Sequence, residues 1–174
     1  MAIGFMGAMQ EEVAGLLEAM GPGRSARERG GRTYVRGDLF GTEAVVVFSR
    51  WGKVAAATTA TELLLAEGVE RLIFTGVAGG ADPSLRVGDV VVASSLVQHD
   101  MDASPLFPRH EIPLLGVSAF EAEERLRSEA AAAARRFLAT PPTGAAAFGI
   151  EAPRVVEGRV ASGDNFFADR AELL

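Results

Sequence analysis

The chain of 174 residues is 48% hydrophobic with a formal charge of −6 at neutral pH, so it can bury one sizeable core, is no disordered chain, and lacks the basic stripe of nucleic-acid recognition. It has no cysteine, which excludes disulfides, thiolate metal ligands and a thiolate nucleophile and fits a reducing compartment. With neither the basic and apolar regions of a signal peptide nor an apolar run of about eighteen residues, the expectation is a cytoplasmic protein without membrane or nucleic-acid partners, suited to a small neutral or cationic ligand.

Residues 3–8, IGFMGA, are apolar on both faces, the pattern of a short buried parallel strand. Val13, Leu16, Leu17 and Met20 recur at helical spacing, and Gly21-Pro22-Gly23 stops that helix. The polar, glycine-rich GRSARERGGR (23–32) reads as a surface turn. Residues 33–39 and 42–49 read as neighbouring strands joined by a tight turn at Phe40-Gly41. KVAAATTATELLLAEG (53–68) has helical length, small residues along its first half that let it sit close on a sheet, and Gly68 as its C′ residue. RLIF (71–74) is a further short apolar strand, running into TGVAGG, and VGDVVVASSLVQ (87–98) is a longer one. An Ala- and Arg-rich helix is expected over 120–139, ended by Pro141-Pro142. Residues 154–162 alternate like a strand, and ADRAELL (168–174) begins a helix.

This order of elements argues for an α/β fold with a mixed, mostly parallel sheet covered on both faces. Ligands bind such sheets beyond the carboxyl ends of the strands, which singles out the loops GAMQEE, SRWGK, TGVAGGAD, VQHDMD and SGDNFF. In TGVAGGAD, Gly76, Gly79 and Gly80 permit positive φ and close approach of a ligand to backbone. Their spacing is neither the GxGxxG of a dinucleotide site nor a P-loop. In GAMQEE, Glu11 and Glu12 stand where many nucleotide enzymes offer bare N–H groups to a phosphate. Carboxylates there either complement the positive end of the helix dipole or do chemistry. VQHDMDASPLFPRHEIP holds His99, Asp100, Asp102 and His110, but no second cluster completes a shell, so no metal is expected and His99 reads as a structural hydrogen-bonding residue.

IGFMGAMQEEV at the start, WGKVAAA in the middle, TGVAGG followed by LRVGDVVVA, and the late SGDNFF run in one order over nearly the whole chain. In that combination the sequence resembles the 5′-methylthioadenosine/S-adenosylhomocysteine nucleosidases of the purine nucleoside phosphorylase and uridine phosphorylase superfamily. The resemblance implies a single nucleoside phosphorylase-like domain over 1–174, a three-layer α/β/α structure around a mixed sheet, and a cofactor-free homodimer. It implies hydrolysis of the N-glycosidic bond of 5′-substituted adenosines, releasing adenine in methionine salvage.

By the same resemblance, a Glu in GAMxEE takes the place where the phosphorylases hold phosphate and activates water, and the matching residue is Glu12. Water attacking an anomeric carbon gains from a base that takes its proton, and a carboxylate there repels phosphate. Val77, Ala78 and Gly79 fall where the nucleosidases line the purine pocket. Many relatives carry Ser or Thr at the position of Val77, whose hydroxyl helps hold the acid that protonates the base; valine offers no hydrogen bond. Phe166 would stack on the purine and Phe167 would offer its main chain to the base edge, the other reading being two aromatics that plug a core. Leu106, Phe107 and Pro113 would line the 5′ substituent near the subunit interface.

The resemblance also implies a Met-Glu pair that grips the ribose and a Ser-Asp whose Asp protonates N7 of adenine, and neither occurs in these 174 residues. Asp164 and Asp169 read as turn and helix-start residues rather than substitutes. The expectation is therefore a fragment, a truncated product or a catalytically weak remnant. Futalosine or aminofutalosine hydrolysis, phosphorolysis, and a non-catalytic nucleoside-binding or interface module are the alternatives.

Overall fold

The run Ala44-Val45-Val46-Val47 is apolar at every position, so as a strand it must be covered on both faces. In the computed structural model, which describes residues 2–140 and 144–167, each of these four side chains is at most 1% exposed. They lie in β4 (Thr42–Phe48) of a sheet that also contains β1 (Ile3–Gly7), β2 (Ser25–Arg29), β3 (Arg32–Leu39) and β5 (Arg71–Phe74), in the order β2-β3-β4-β1-β5. Helix α1 (Gln10–Ala19) covers one face, where Val13 and the neighbouring Met20 pack with Leu39, Ala44 and Val46. Helix α2 (Lys53–Leu65) covers the other, Leu63 packing with Met6, Tyr34, Val45 and Val47. The small residues of α2 act as expected: Ala56 and Ala60 lie against that cluster.

Strands β4, β1 and β5 are parallel, and the register pairs Gly7 with Phe48 and Met6 with Phe74. The loops that follow these three strands therefore leave from one edge, the edge at which such sheets bind ligands. Strands β2, β3 and β4 pair antiparallel. The turn at Phe40-Gly41 forms as expected, both residues at positive φ (54° and 82°) as a two-residue hairpin requires.

Two expectations for this part of the chain are corrected. GRSARERGGR is no surface turn: its Ser25–Arg29 segment is β2, and Gly30-Gly31, at φ 56° and 68°, form the hairpin into β3. Every side chain of β2 is exposed, so no apolar alternation marks the strand; its ladder with β3 and ion pairs from Arg27 to Glu67 (3.3 Å) and Arg29 to Glu62 (3.0 Å) hold it. Helix α2 caps at Ala66, which puts Gly68, at φ 66°, one residue beyond the expected C′ position.

The chain divides into two units, Met1–Ala78, which holds the elements above, and Gly79–Leu174. The second contains β6 (Val90–Gln98), β7 (Phe120–Glu121), α3 (Glu124–Leu138) and β8 (Val155–Ser162), with a sheet of order β7-β6-β8. Strands β6 and β8 are parallel, and β7 is antiparallel to β6. The helix expected from Phe120 begins four residues later, because Phe120 and Glu121 pair with Leu96 and Ser95 as a strand. The Glu123 carboxylate then accepts the N–H groups of Arg125 (3.1 Å) and Leu126 (2.7 Å), which sets the start of α3. The expected stop at Pro141-Pro142 and the helix over ADRAELL lie outside the described residues. Among the described residues no helix is long and apolar enough to cross a membrane.

Asp89 joins the entrances of β6 and β8. Its Oδ1 accepts the Arg154 N–H at 3.0 Å, and its Oδ2 accepts the Arg86 N–H at 3.1 Å and Arg154 Nε at 3.2 Å. The Arg154 main-chain N–H first of all, with the Arg86 N–H and the guanidinium, holds this carboxyl below the ordinary aspartate range. A carboxyl depressed in the fold stabilises fully above its unfolded pKa and loses that contribution as the pH falls through its folded value. The stability advantage of wild type over Asp89→Asn, measured by urea unfolding, is expected to be largest above about pH 5 and to shrink below about pH 4; an advantage independent of pH would contradict this.

Candidate active site

Only Ala8 and Met9 separate β1 from α1, so the first helical turn folds back over the end of the strand and Glu12 occupies its third position. Glu12 Oε2 accepts the N–H groups of Ala8 (2.6 Å) and Met9 (3.0 Å), the latter a donor that a helix N-terminus otherwise leaves unpaired. Glu12 Oε1 accepts the N–H of Val77 at 2.9 Å, in the loop after β5. The first contacts are those of a residue that complements a helix N-terminus. The Val77 contact goes further, because it ties together two loops 65 residues apart in sequence.

Two glycines make room for this carboxylate. A Cβ on Gly76 would stand 2.5 Å from Glu12 Oε1 and 2.6 Å from its Cδ. One on Gly7 would stand 2.9 Å from Val13 Cγ1 and 3.1 Å from Glu12 Cβ. Gly76, Gly79 and Gly80 permit positive φ, but none of the three adopts it; what Gly76 contributes is the missing side chain. The loop after β4 joins the same edge through buried Ser49, whose N–H and hydroxyl both donate to the Gly7 carbonyl, at 2.8 and 3.0 Å. Val77 is 78% exposed, so its main chain, and not its side chain, makes the contact to Glu12.

In the second unit the loops after parallel β6 and β8 also meet. The His99 N–H donates to the Ser162 carbonyl at 3.0 Å, and the Asp164 N–H to Asp100 Oδ2 at 2.8 Å. The His99 ring lies 5.1 Å from that of Phe167, tilted by 52°. Phe167 is half-buried, whereas Phe166 is 92% exposed, which is not how a core plug sits. Phe107 and Pro113 are half-buried and Leu106 is exposed. Asp102 Oδ1 accepts the Ser104 N–H at 3.0 Å, and that bond above all holds its carboxyl below the ordinary range. Among the described residues no three His, Asp or Glu side chains are placed to hold a metal ion.

Of the residues singled out from sequence, the structure joins Glu12 to Val77 in the first unit. Ala78 also belongs to that unit; Gly79, Phe107, Pro113, Phe166 and Phe167 belong to the second. Sequence reasoning missed Gly7 and Ser49 as parts of the Glu12 edge, and the close approach of Gly163 to the His99 ring. The available signal was a glycine at the last position of a strand, which marks a close backbone approach.

A family profile described as Phosphorylase superfamily matches residues 2–174. The chain is 36% identical over 172 residues to a 5′-methylthioadenosine/S-adenosylhomocysteine nucleosidase of Chromohalobacter salexigens, covering 98% of this chain and 67% of that protein. It is 40% identical over 102 residues to an aminodeoxyfutalosine nucleosidase of Helicobacter pylori, covering 59% of this chain and only 44% of that relative's length. The structure of a 5′-methylthioadenosine/S-adenosylhomocysteine nucleosidase of Colwellia psychrerythraea in complex with adenine superimposes with a TM-score of 0.84 at 32% identity, covering 99% of this chain and 66% of that one.

The close fit of Gly76 on Glu12 yields a thermodynamic cycle. Gly76→Ala is expected to lower the unfolding free energy by about 1–3 kcal/mol, because its Cβ displaces the carboxylate from three N–H groups. Combined with Glu12→Ala it is expected to cost at least about 0.5 kcal/mol less than the sum of the single changes. Additive losses in chemical denaturation would contradict the contact.

Proposed function

The chain belongs to the phosphorylase superfamily, and on that premise we propose that this protein hydrolyses the N-glycosidic bond of 5′-methylthioadenosine and S-adenosylhomocysteine, with Glu12 as the base that activates water. The observation that carries the proposal is the seat of the Glu12 carboxylate at the carboxyl end of β1, held by the N–H groups of Ala8, Met9 and Val77. A carboxylate offers about four acceptor directions, and with three of them taken by main chain, one is left for a water molecule. That water's oxygen attacks the anomeric carbon, its proton passes to Glu12, and the bond to the purine nitrogen breaks with its electron pair leaving on adenine, which takes up a proton from solvent while Glu12 returns its own to solvent. A fixed negative charge at this place also disfavours an oxyanion nucleophile.

Val77, Ala78 and Gly79 line the purine pocket in this proposal. Phe166 stacks on the base, the Phe167 main chain meets its edge, and Phe107 and Pro113 contact the 5′ substituent. The exposure of Phe166 and the names of the relatives support the reading. The ribose-gripping Met-Glu pair and the acidic Ser-Asp pair that the family resemblance calls for do not occur in these 174 residues, and no step here draws on them. We further assign the protein to methionine salvage in the cytoplasm, as a cofactor-free homodimer of a single nucleoside phosphorylase-like domain. Hydrolysis of aminodeoxyfutalosine is the second reading, favoured by the 40% identity to the Helicobacter pylori enzyme over 102 residues; a panel of 5′-substituted adenosines separates the two.

Because both Glu12 oxygens accept N–H groups, Glu12→Gln must turn an amide NH₂ toward one of these donors, and some loss of stability accompanies it. The variant is expected to lose about 10²–10⁴-fold in kcat while adenine affinity stays within about threefold. Steady-state release of adenine, with calorimetric adenine binding to confirm an intact pocket, makes the measurement. Wild-type turnover in the variant would remove Glu12 from the reaction.

A further inference from the structure

We propose that His99 is a positioning residue for the purine platform: its imidazole, wedged between Phe167 and the backbone of Gly163, fixes the segment from which Phe166 stacks on the base. The inference rests on the purine reading of Phe166 and Phe167 and adds a residue that this reading leaves without a role. Four observations in the second unit support it. The ring of His99 faces that of Phe167 at 5.1 Å and 52°, a tilted aromatic pair. The missing side chain of Gly163 leaves the space that the imidazole fills, since a Cβ there would collide with His99 Nε2 and stand 2.7 Å from its Cε1. The His99 N–H donates to the Ser162 carbonyl at 3.0 Å, which sets the level of the ring relative to the end of β8. Beyond it, Asp100 Oδ2 accepts the Asp164 N–H at 2.8 Å, fixing the other side of Gly163.

The consequence for binding follows from the two phenylalanines. Phe167 is half-buried against His99, whereas Phe166 is 92% exposed. A solvent-facing ring stacks on a ligand with least loss of entropy when its backbone is already ordered. Order here comes from the neighbour: anchoring Phe167 orders the peptide that carries Phe166 and aims the Phe167 main chain. The imidazole acts through Phe167 and touches no reacting atom, so its effect falls on affinity for the base, equally in ground and transition states.

Calorimetry with free adenine on the native protein, together with KM and kcat for 5′-methylthioadenosine, tests this. His99→Ala is expected to weaken adenine binding roughly two- to tenfold, the worth of an aromatic pair, and to raise KM by a similar factor with little change in kcat. His99→Phe, which keeps a flat ring against Phe167, is expected to recover most of the loss. Gly163→Ala, whose Cβ pushes the imidazole from the other side, is expected to reproduce it. Wild-type adenine affinity in both His99→Ala and Gly163→Ala overturns the proposal, as does an equal loss in His99→Ala and His99→Phe. A wild-type protein that binds no adenine overturns the purine reading of Phe166 and Phe167, and this inference with it.

Discussion

The end of β1 is held by a carboxylate whose oxygens accept three main-chain N–H groups from two loops, those of Ala8, Met9 and Val77. That interaction constrains its surroundings in both directions along the chain. It requires a helix separated from the strand by only two residues, so that its third position lies over the strand end. It requires glycine at 7 and 76, because a methyl group at either place would press on Glu12 or on the side chain next to it. It also requires β5 to run parallel to β1 with Met6 opposite Phe74, so that the loop carrying Val77 emerges at the same edge. Burial of Ala44, Val45, Val46 and Val47 on both sheet faces supplies the stability against which this edge is set.

The same device recurs in the second unit. Asp89 holds the starts of β6 and β8 together by accepting main-chain N–H groups, Glu123 caps α3, and Asp100 takes the N–H of Asp164. Loops rich in glycine have donors to satisfy and few apolar side chains with which to pack, and a short acidic side chain satisfies them at close range. Part of the protein's negative charge is thus structural. A net charge of −6 does not by itself describe the field at the site, where the Glu12 oxygens are screened by the dipoles of the amides they accept.

How far the fold was legible in the sequence depended on burial. The all-apolar run in β4, the periodic apolar positions of α1 and the small residues of α2 gave those elements away, because each writes its environment into residue type. Strand β2 was illegible for the opposite reason: it lies at a sheet edge with every side chain in water, so its Arg and Glu residues carry no alternation and the whole segment reads as a turn. The start of α3 was misplaced because Phe120 and Glu121 are held by pairing with β6, a long-range contact that no local propensity records. At the site, Glu12 and the glycines of TGVAGG were visible as residue types, and the resemblance assigned roles to Glu12, Val77, Ala78 and Gly79. The contact between Gly76 and Glu12, the wedge of His99 against Gly163 and the anchoring of Ser49 to Gly7 needed coordinates, since each joins residues distant in the chain.

The central claim is that the carboxylate at the end of β1 makes water, and not phosphate, the nucleophile. The direct measurement is the sugar product formed from 5′-methylthioadenosine by the native protein, followed while orthophosphate is raised from none to excess at constant ionic strength. Glu12 in its amide seat predicts the free reducing sugar at a rate that phosphate leaves unchanged. A sugar 1-phosphate that appears in proportion to added phosphate would contradict it.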